Sequence, residues 1–131
     1  MILLDTHVWV WVASEPKRVG PKVRRAIEGS LAISSISAWE IATKVTNGKL
    51  SLDRPVAEWI KAAVEQSAIT AEPVSLAIAG RAGELGREGF HGDPADRIIV
   101  ATAQTFGWAL ATKDSVIRTW ASKRTDIEVV W

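Results

Sequence analysis

Five short runs rich in apolar residues, MILLD, LAIS, ITAEPVS, ALAT and IEVVW, recur along the chain with helix-like stretches in every gap. The gaps are too long for hairpin turns, so these runs can join one sheet only as parallel strands carried by helical crossovers. The implied fold is α/β, with helices on both faces of a central, mainly parallel sheet. MILLD reads as a buried strand over Ile2, Leu3 and Leu4, and THVWVWVA as the helix after it, although its β-branched and aromatic residues suit a strand as well. Pro21 opens a helix through Ile27 that Gly29 closes. A helix from about Ser37, with Ile41 and Val45 on one side, stops at Asn47-Gly48. Pro55 starts PVAEWIKAAVEQ, SLAIAGRAGEL follows the third strand, and PADRIIVATAQTF runs from Pro94 to a stop at Gly107. DSVIRTWA forms a short helix before the last strand.

No repeat, low-complexity tract or linker divides residues 1–131, which read as one domain, and 47% hydrophobic residues suffice for a core. The net charge of +1 does not announce a nucleic-acid binder, so any basic surface has to be local. The chain has no cysteine, which excludes disulfides, thiolate metal sites and a cysteine nucleophile and accords with a reducing cytoplasm. Asp5 and His7 interrupt the apolar N-terminus, and no positive charge precedes it; neither a signal peptide nor a membrane span is expected.

In open parallel sheets, ligands collect beyond the carboxyl ends of the strands. Asp5 stands at the end of MILLD and Asp114 just after ALAT. Glu40 lies early in the helix after LAIS, and Asp93 and Asp96 open the apolar helix PADRIIVATAQTF. Each acid also has an ordinary reading. Asp93 before Pro94 fits a helix cap, with Asp96 in the capping-box place. Glu40 can pair with Lys44 at i,i+4 for a few tenths of a kcal/mol, and Asp114 can cap the helix at Ser115. Asp5 is harder to explain structurally, because a carboxylate beside a buried strand costs about several kcal/mol unless hydrogen-bonded or metal-bound. Together the acids would repel one another unless a cation offset their charge. Hard cations such as Mg²⁺ and Mn²⁺ prefer oxygen ligands and engage substrate phosphate, so an acidic pocket points to phosphoryl chemistry with an activated water.

The series LLDTH, SAWEIATKVTNGKL, HGDPADRIIVATA and ATKD resembles the PIN-domain ribonucleases, specifically the VapC toxins of bacterial toxin-antitoxin pairs, from Leu3 to about Trp120. The resemblance implies a PIN-like α/β/α sandwich and a metal-dependent endoribonuclease whose site residues are Asp5, Glu40, Asp96 and Asp114. Asp93 belongs to a subgroup motif, as a metal ligand through water or mainly as a cap. It further implies Mg²⁺ or Mn²⁺, an RNA substrate, a homodimer and a VapB-like antitoxin whose tail lies in a hydrophobic groove, with no membrane association. The N-terminal helix with Trp9 and Trp11, and the helix around Trp59, are the expected groove walls.

Other polar groups carry two readings. Thr6 and Thr112 either hydrogen-bond the acids or phosphate, or serve the strand ends alone. Arg97 suits phosphate or an acidic neighbour. His7 and His91 have no evident partner, and Lys17, Arg18, Lys22, Arg24 and Arg25 form either an RNA-backbone contact or a solvated helix face. Two other functions compete: a catalytically silent PIN-like binding module, which the full set of acids disfavours, and a receiver-like signalling domain with Lys113 after a late strand. The second lacks the adjacent acidic pair expected after the first strand and leaves Glu40 without a role.

Overall fold

In the computed structural model, which describes residues 1–131, five strands form one sheet: β1 (Ile2–Leu4), β2 (Leu31–Ser34), β3 (Thr70–Glu72), β4 (Ala109–Ala111) and β5 (Val129–Val130). Their order is β3-β2-β1-β4-β5 and every pairing is parallel, so the sheet is wholly rather than mainly parallel. Central β1 sets Ile2 beside Leu31 on one neighbour and beside Ala109 on the other. Because side chains alternate along a strand, Leu3 and Leu4 enter opposite cores. Leu3, Ala32 and Leu110 pack with Ile78, Phe90, Ile99 and Ile117, whereas Leu4, Ile33 and Ala111 pack with Val8, Trp9, Val23, Ile41 and Trp59.

The seven helices supplying those layers are α1 (Thr6–Ser14), α2 (Pro21–Ala26), α3 (Ser35–Thr46), α4 (Val56–Gln66), α5 (Leu76–Glu84), α6 (Pro94–Phe106) and α7 (Ser115–Ala121). This is the expected sandwich. Helix α1 forms despite its β-branched residues, because burial of Val8 and Trp9 outweighs their weak helix propensity. Helix α3 begins at Ser35, two residues before the expected start, because Ser34 caps it by accepting a hydrogen bond from the Ile36 amide. Short 3-10 turns at Pro16–Arg18 and Leu85–Glu88 extend the helical connections. No helix is long and apolar enough to cross a membrane.

Far from the carboxyl ends of the strands, Arg124 pairs with Glu88 and Asp126, and Arg81 with Glu88. The Trp120 indole donates to the Glu88 carbonyl at 2.8 Å, tying α7 to the turn after α5.

Candidate metal centre

Parallel strands and right-handed crossovers bring the starts of α1, α3, α6 and α7 to the same end of the sheet; α1, α6 and α7 carry their acids at the cap or first turn, and α3 carries Glu40 one turn further in. Asp5, only 2% exposed, follows β1. Its Oδ1 accepts from the Thr6 amide at 2.7 Å and its Oδ2 from the Thr112 hydroxyl at 2.6 Å. The same Thr112 oxygen accepts from the Asp114 amide at 3.0 Å, so one fully buried hydroxyl fixes two of the predicted site residues relative to each other. Asp114 caps α7 through Oδ1, which accepts from the Ile117 amide at 3.0 Å.

Glu40 projects from α3 toward the same region. The Thr6 hydroxyl, 2.9 Å from Ser37 Oγ, donates to Glu40 Oε1 at 2.5 Å. No ion pair forms between Glu40 and Lys44, so the helix-surface explanation of Glu40 fails; its carboxylate turns inward instead. Asp93 is the cap of α6, its Oδ1 accepting from the Asp96 amide at 2.9 Å. Capping does not exhaust it: Glu40, Asp93 and Asp96 each present an oxygen within 4.8 Å of the others. Asp5 and Asp114 lie outside that tight triad, although their charges reach Asp96.

Gly92 allows the close approach, since a Cβ there would meet the Phe90 ring at 2.6 Å and Asp96 Cβ at 3.2 Å. Arg97 does not face the acids. Its Nε donates to the Gly92 carbonyl at 2.9 Å and so braces the loop before α6.

Crowding is visible in the titration of these groups. Burial, followed by the charges of Asp93, Asp5, Glu40 and Asp114, pushes the Asp96 carboxyl up to about 7. Burial also raises Glu40, against the opposing effects of the Thr6 hydrogen bond and Lys44. All the donors are carboxylate oxygens, the chemistry that hard divalent cations select, and a cation would offset the charge crowding that adds to burial in raising Asp96.

His7 has partners that the sequence did not disclose. Its Nε2 accepts from the Lys113 amide at 3.3 Å, and its Nδ1 lies 3.5 Å from Asp5 Oδ2. Burial lowers its pKa despite the nearby Asp5. Ser37, three residues before Glu40, was also missed; its spacing on one helix face was the available signal. In the basic stretch, Arg24 donates to the Val19 carbonyl, Arg18 pairs with Glu15 and covers the Trp11 ring at 4.4 Å, and Lys22 and Arg25 remain exposed.

A cleft of about 410 Å³ runs between α1 and α4, lined by Val10, Ala13, Leu50, Leu52, Trp59 and Ala62 among others. Neither Trp9 nor Trp11 is a wall of it. Trp9 is fully buried, edge-on to Trp59 at 5.3 Å between ring centroids, and belongs to the core, while Trp11 packs against His7 and Trp131.

Residues 2–122 match the PIN domain family. A ribonuclease of Mycobacterium tuberculosis, VapC22, is 37% identical over 119 residues, covering 89% of each chain. Among solved structures, VapBC2 of Rickettsia felis, bound to a DNA fragment from its promoter, superposes with a TM-score of 0.67 at 18% identity, covering 99% of this chain and 98% of that one. FitAcB of Neisseria gonorrhoeae does so with a TM-score of 0.60 at 26% identity, covering 100% and 97%.

Proposed function

The chain belongs to the PIN-domain family, in its VapC ribonuclease branch, and from that premise we propose that it is a metal-dependent endoribonuclease toxin whose site is built on Asp5, Glu40, Asp93, Asp96 and Asp114. The observation that carries this reading is the triad of carboxylate oxygens within 4.8 Å, where burial and then the neighbouring acids raise the Asp96 carboxyl. Glu40 and Asp96 would hold Mg²⁺ or Mn²⁺ directly, with Asp93, the cap of α6 whose oxygen stands within 4.8 Å of theirs, reaching the ion through water. Asp5 and Asp114 complete the negative field and act on the ion directly or through water. Once bound, the ion supplies an activated water and offsets charge on the scissile phosphate.

The chain's own residues do the positioning. Thr112 orients Asp5 and the Asp114 backbone together, Thr6 orients Glu40, and the α6 cap holds Asp93 and Asp96 on one turn. Such an arrangement needs no side-chain nucleophile, and the buried hydroxyls keep the acids from relaxing apart before the ion arrives.

The relatives include toxin-antitoxin complexes. For this chain we take the partner to be a VapB-like antitoxin seated in the cleft between α1 and α4, with Val10, Leu52 and Trp59 as walls. The active form is a homodimer working in the cytoplasm. The test is cleavage of total and structured RNA by antitoxin-free protein with Mg²⁺, Mn²⁺ or EDTA, beside a folded Asp96→Asn variant. Cutting that requires metal and vanishes in the variant is the expected result; metal-independent cutting, or full activity of the variant, refutes the site.

A further inference from the structure

A second, smaller cleft of about 140 Å³ opens between α1 and the turn after α3, separated from the acids by Thr6 and His7. Thr6 and His7, which hold Glu40 and Asp5, form one side, while Lys44 and Lys49 form the other. The turn that ends α3 creates the lysine pair. Gly48, at φ +72°, reverses the chain so that the Lys49 amide donates to the Lys44 carbonyl at 2.8 Å. Lys113, on the loop after β4, completes the surround: its amide is bonded to His7, and its ammonium lies 5.9 Å from the Trp11 ring centre.

None of these lysines is within ion-pair distance of a carboxylate, whereas Arg18, Arg54, Arg81 and Arg124 all are. Unpaired ammonium groups on flexible stems suit phosphate as point charges. The Trp11 ring is already engaged by Arg18, His7 and Trp131, so the cleft offers charge rather than a stacking platform.

We propose that Lys44 and Lys49, assisted by Lys113, form a subsite for backbone phosphates of the RNA strand flanking the cut; this rests on the nuclease reading above. A strand whose scissile phosphate lies over Glu40, Asp93 and Asp96 carries further phosphates past the site, and these lysines are the free cations adjoining it. An acidic peptide has no comparable reason to span the carboxylates and the lysines together. Since the lysines meet backbone alone, the subsite sets affinity and register, not base preference.

The test uses a short fluorescent single-stranded RNA and anisotropy across a salt series, in an Asp96→Asn background that prevents turnover. Replacing Lys44 and Lys49 together with Gln should lower the slope of log affinity against log salt by about 1.4, at roughly 0.7 for each phosphate no longer neutralised. In the active background KM should rise about tenfold with kcat changed less than about twofold, the mark of weakened ground-state binding, and the Lys44→Arg, Lys49→Arg pair should restore both readouts. Lys22→Gln with Arg25→Gln, on α2, should leave the slope intact. An unchanged slope in the lysine variant, an equal fall in the α2 control, or an effect confined to antitoxin affinity overturns the subsite. If the wild-type protein cuts no RNA with either metal while the slope still falls, the nuclease reading fails and the subsite stands; cutting with an unchanged slope has the opposite meaning.

Discussion

Neutralising Asp96 should stabilise the metal-free protein, and the gain should depend on pH. Its carboxyl titrates near 7 in the folded chain against an ordinary value of 3.8. Between those values the unfolded chain is ionised while the native chain keeps the proton, so stability falls as pH rises through the window and levels off above about 7. From pH 5 to 8 this spans roughly two units, or about 3 kcal/mol at 1.4 kcal/mol per unit; partial exposure to solvent cuts that to about 1.5 kcal/mol. In a domain of 131 residues that corresponds to roughly 6 °C in Tm. The lowered pKa of His7 acts in the opposite direction, adding stability as pH rises toward 6.5, but it is common to both proteins. Thermal unfolding in EDTA should therefore show that the advantage of Asp96→Asn over wild type is larger by about 6 °C at pH 8 than at pH 5. Mg²⁺ or Mn²⁺ at pH 8 should raise the wild type alone. An advantage that stays the same across the range would refute the crowding on which the metal site is argued.

Asp93→Asn should keep its helix cap, because asparagine caps as well as aspartate, and should leave stability within about 0.5 kcal/mol and much of the activity, whereas Asp96→Asn should nearly abolish cleavage. Equal losses in an RNA cleavage assay would assign both residues the same role. Thr112→Val removes the hydroxyl between Asp5 and Asp114 at almost constant volume; urea unfolding should register a loss of about 1–3 kcal/mol, with a fall in metal affinity by calorimetry. Gly92→Ala should cost about 1–3 kcal/mol by driving a methyl into the Phe90 ring, and unchanged stability would mean that the loop before α6 yields freely. Trp9→Ala should cost about 3–5 kcal/mol, while Trp39→Ala, at a residue 60% exposed, should stay within about 0.5 kcal/mol.

The alternation of strand and helix was legible because buried parallel strands are continuous apolar runs and glycine or proline marks their flanks. Asn47-Gly48, Pro94 and Gly107 each stand where the sequence placed a helix boundary. The early start of α3 was hidden in Ser34, which reads equally as the last strand residue and as a cap. At the site, the five acids were nameable from type and position, yet their grouping was not. Whether Asp93 caps or approaches Glu40 depends on a side-chain direction across two elements 53 positions apart, and the structure gives it both attributes. Thr6 and Thr112 showed the same limit, since a threonine at a strand end has no local mark that tells which carboxylate it will meet. Trp9 and Trp11 differ by two positions on one helix, and only the tertiary packing separates them: Trp9 meets Trp59 in the core, whereas Trp11 lines the small cleft beside Lys44 and Lys49.

The spatial adjacency of β1 and β4 also has a consequence in time. Asp5 leaves the ribosome early, but its hydroxyl partner Thr112 is 107 residues behind it, about 5–20 s at ordinary elongation rates. Asp93, Asp96 and Asp114 are late as well, whereas the cleft between α1 and α4 draws all its lining residues from Val10 through Gln66. The nascent chain thus encodes the surface proposed for restraint before it encodes the acids proposed for cutting. Ribosome-stalled chains of increasing length should acquire antitoxin binding before RNA cleavage; the reverse order would show that the cleft closes only against the finished sheet.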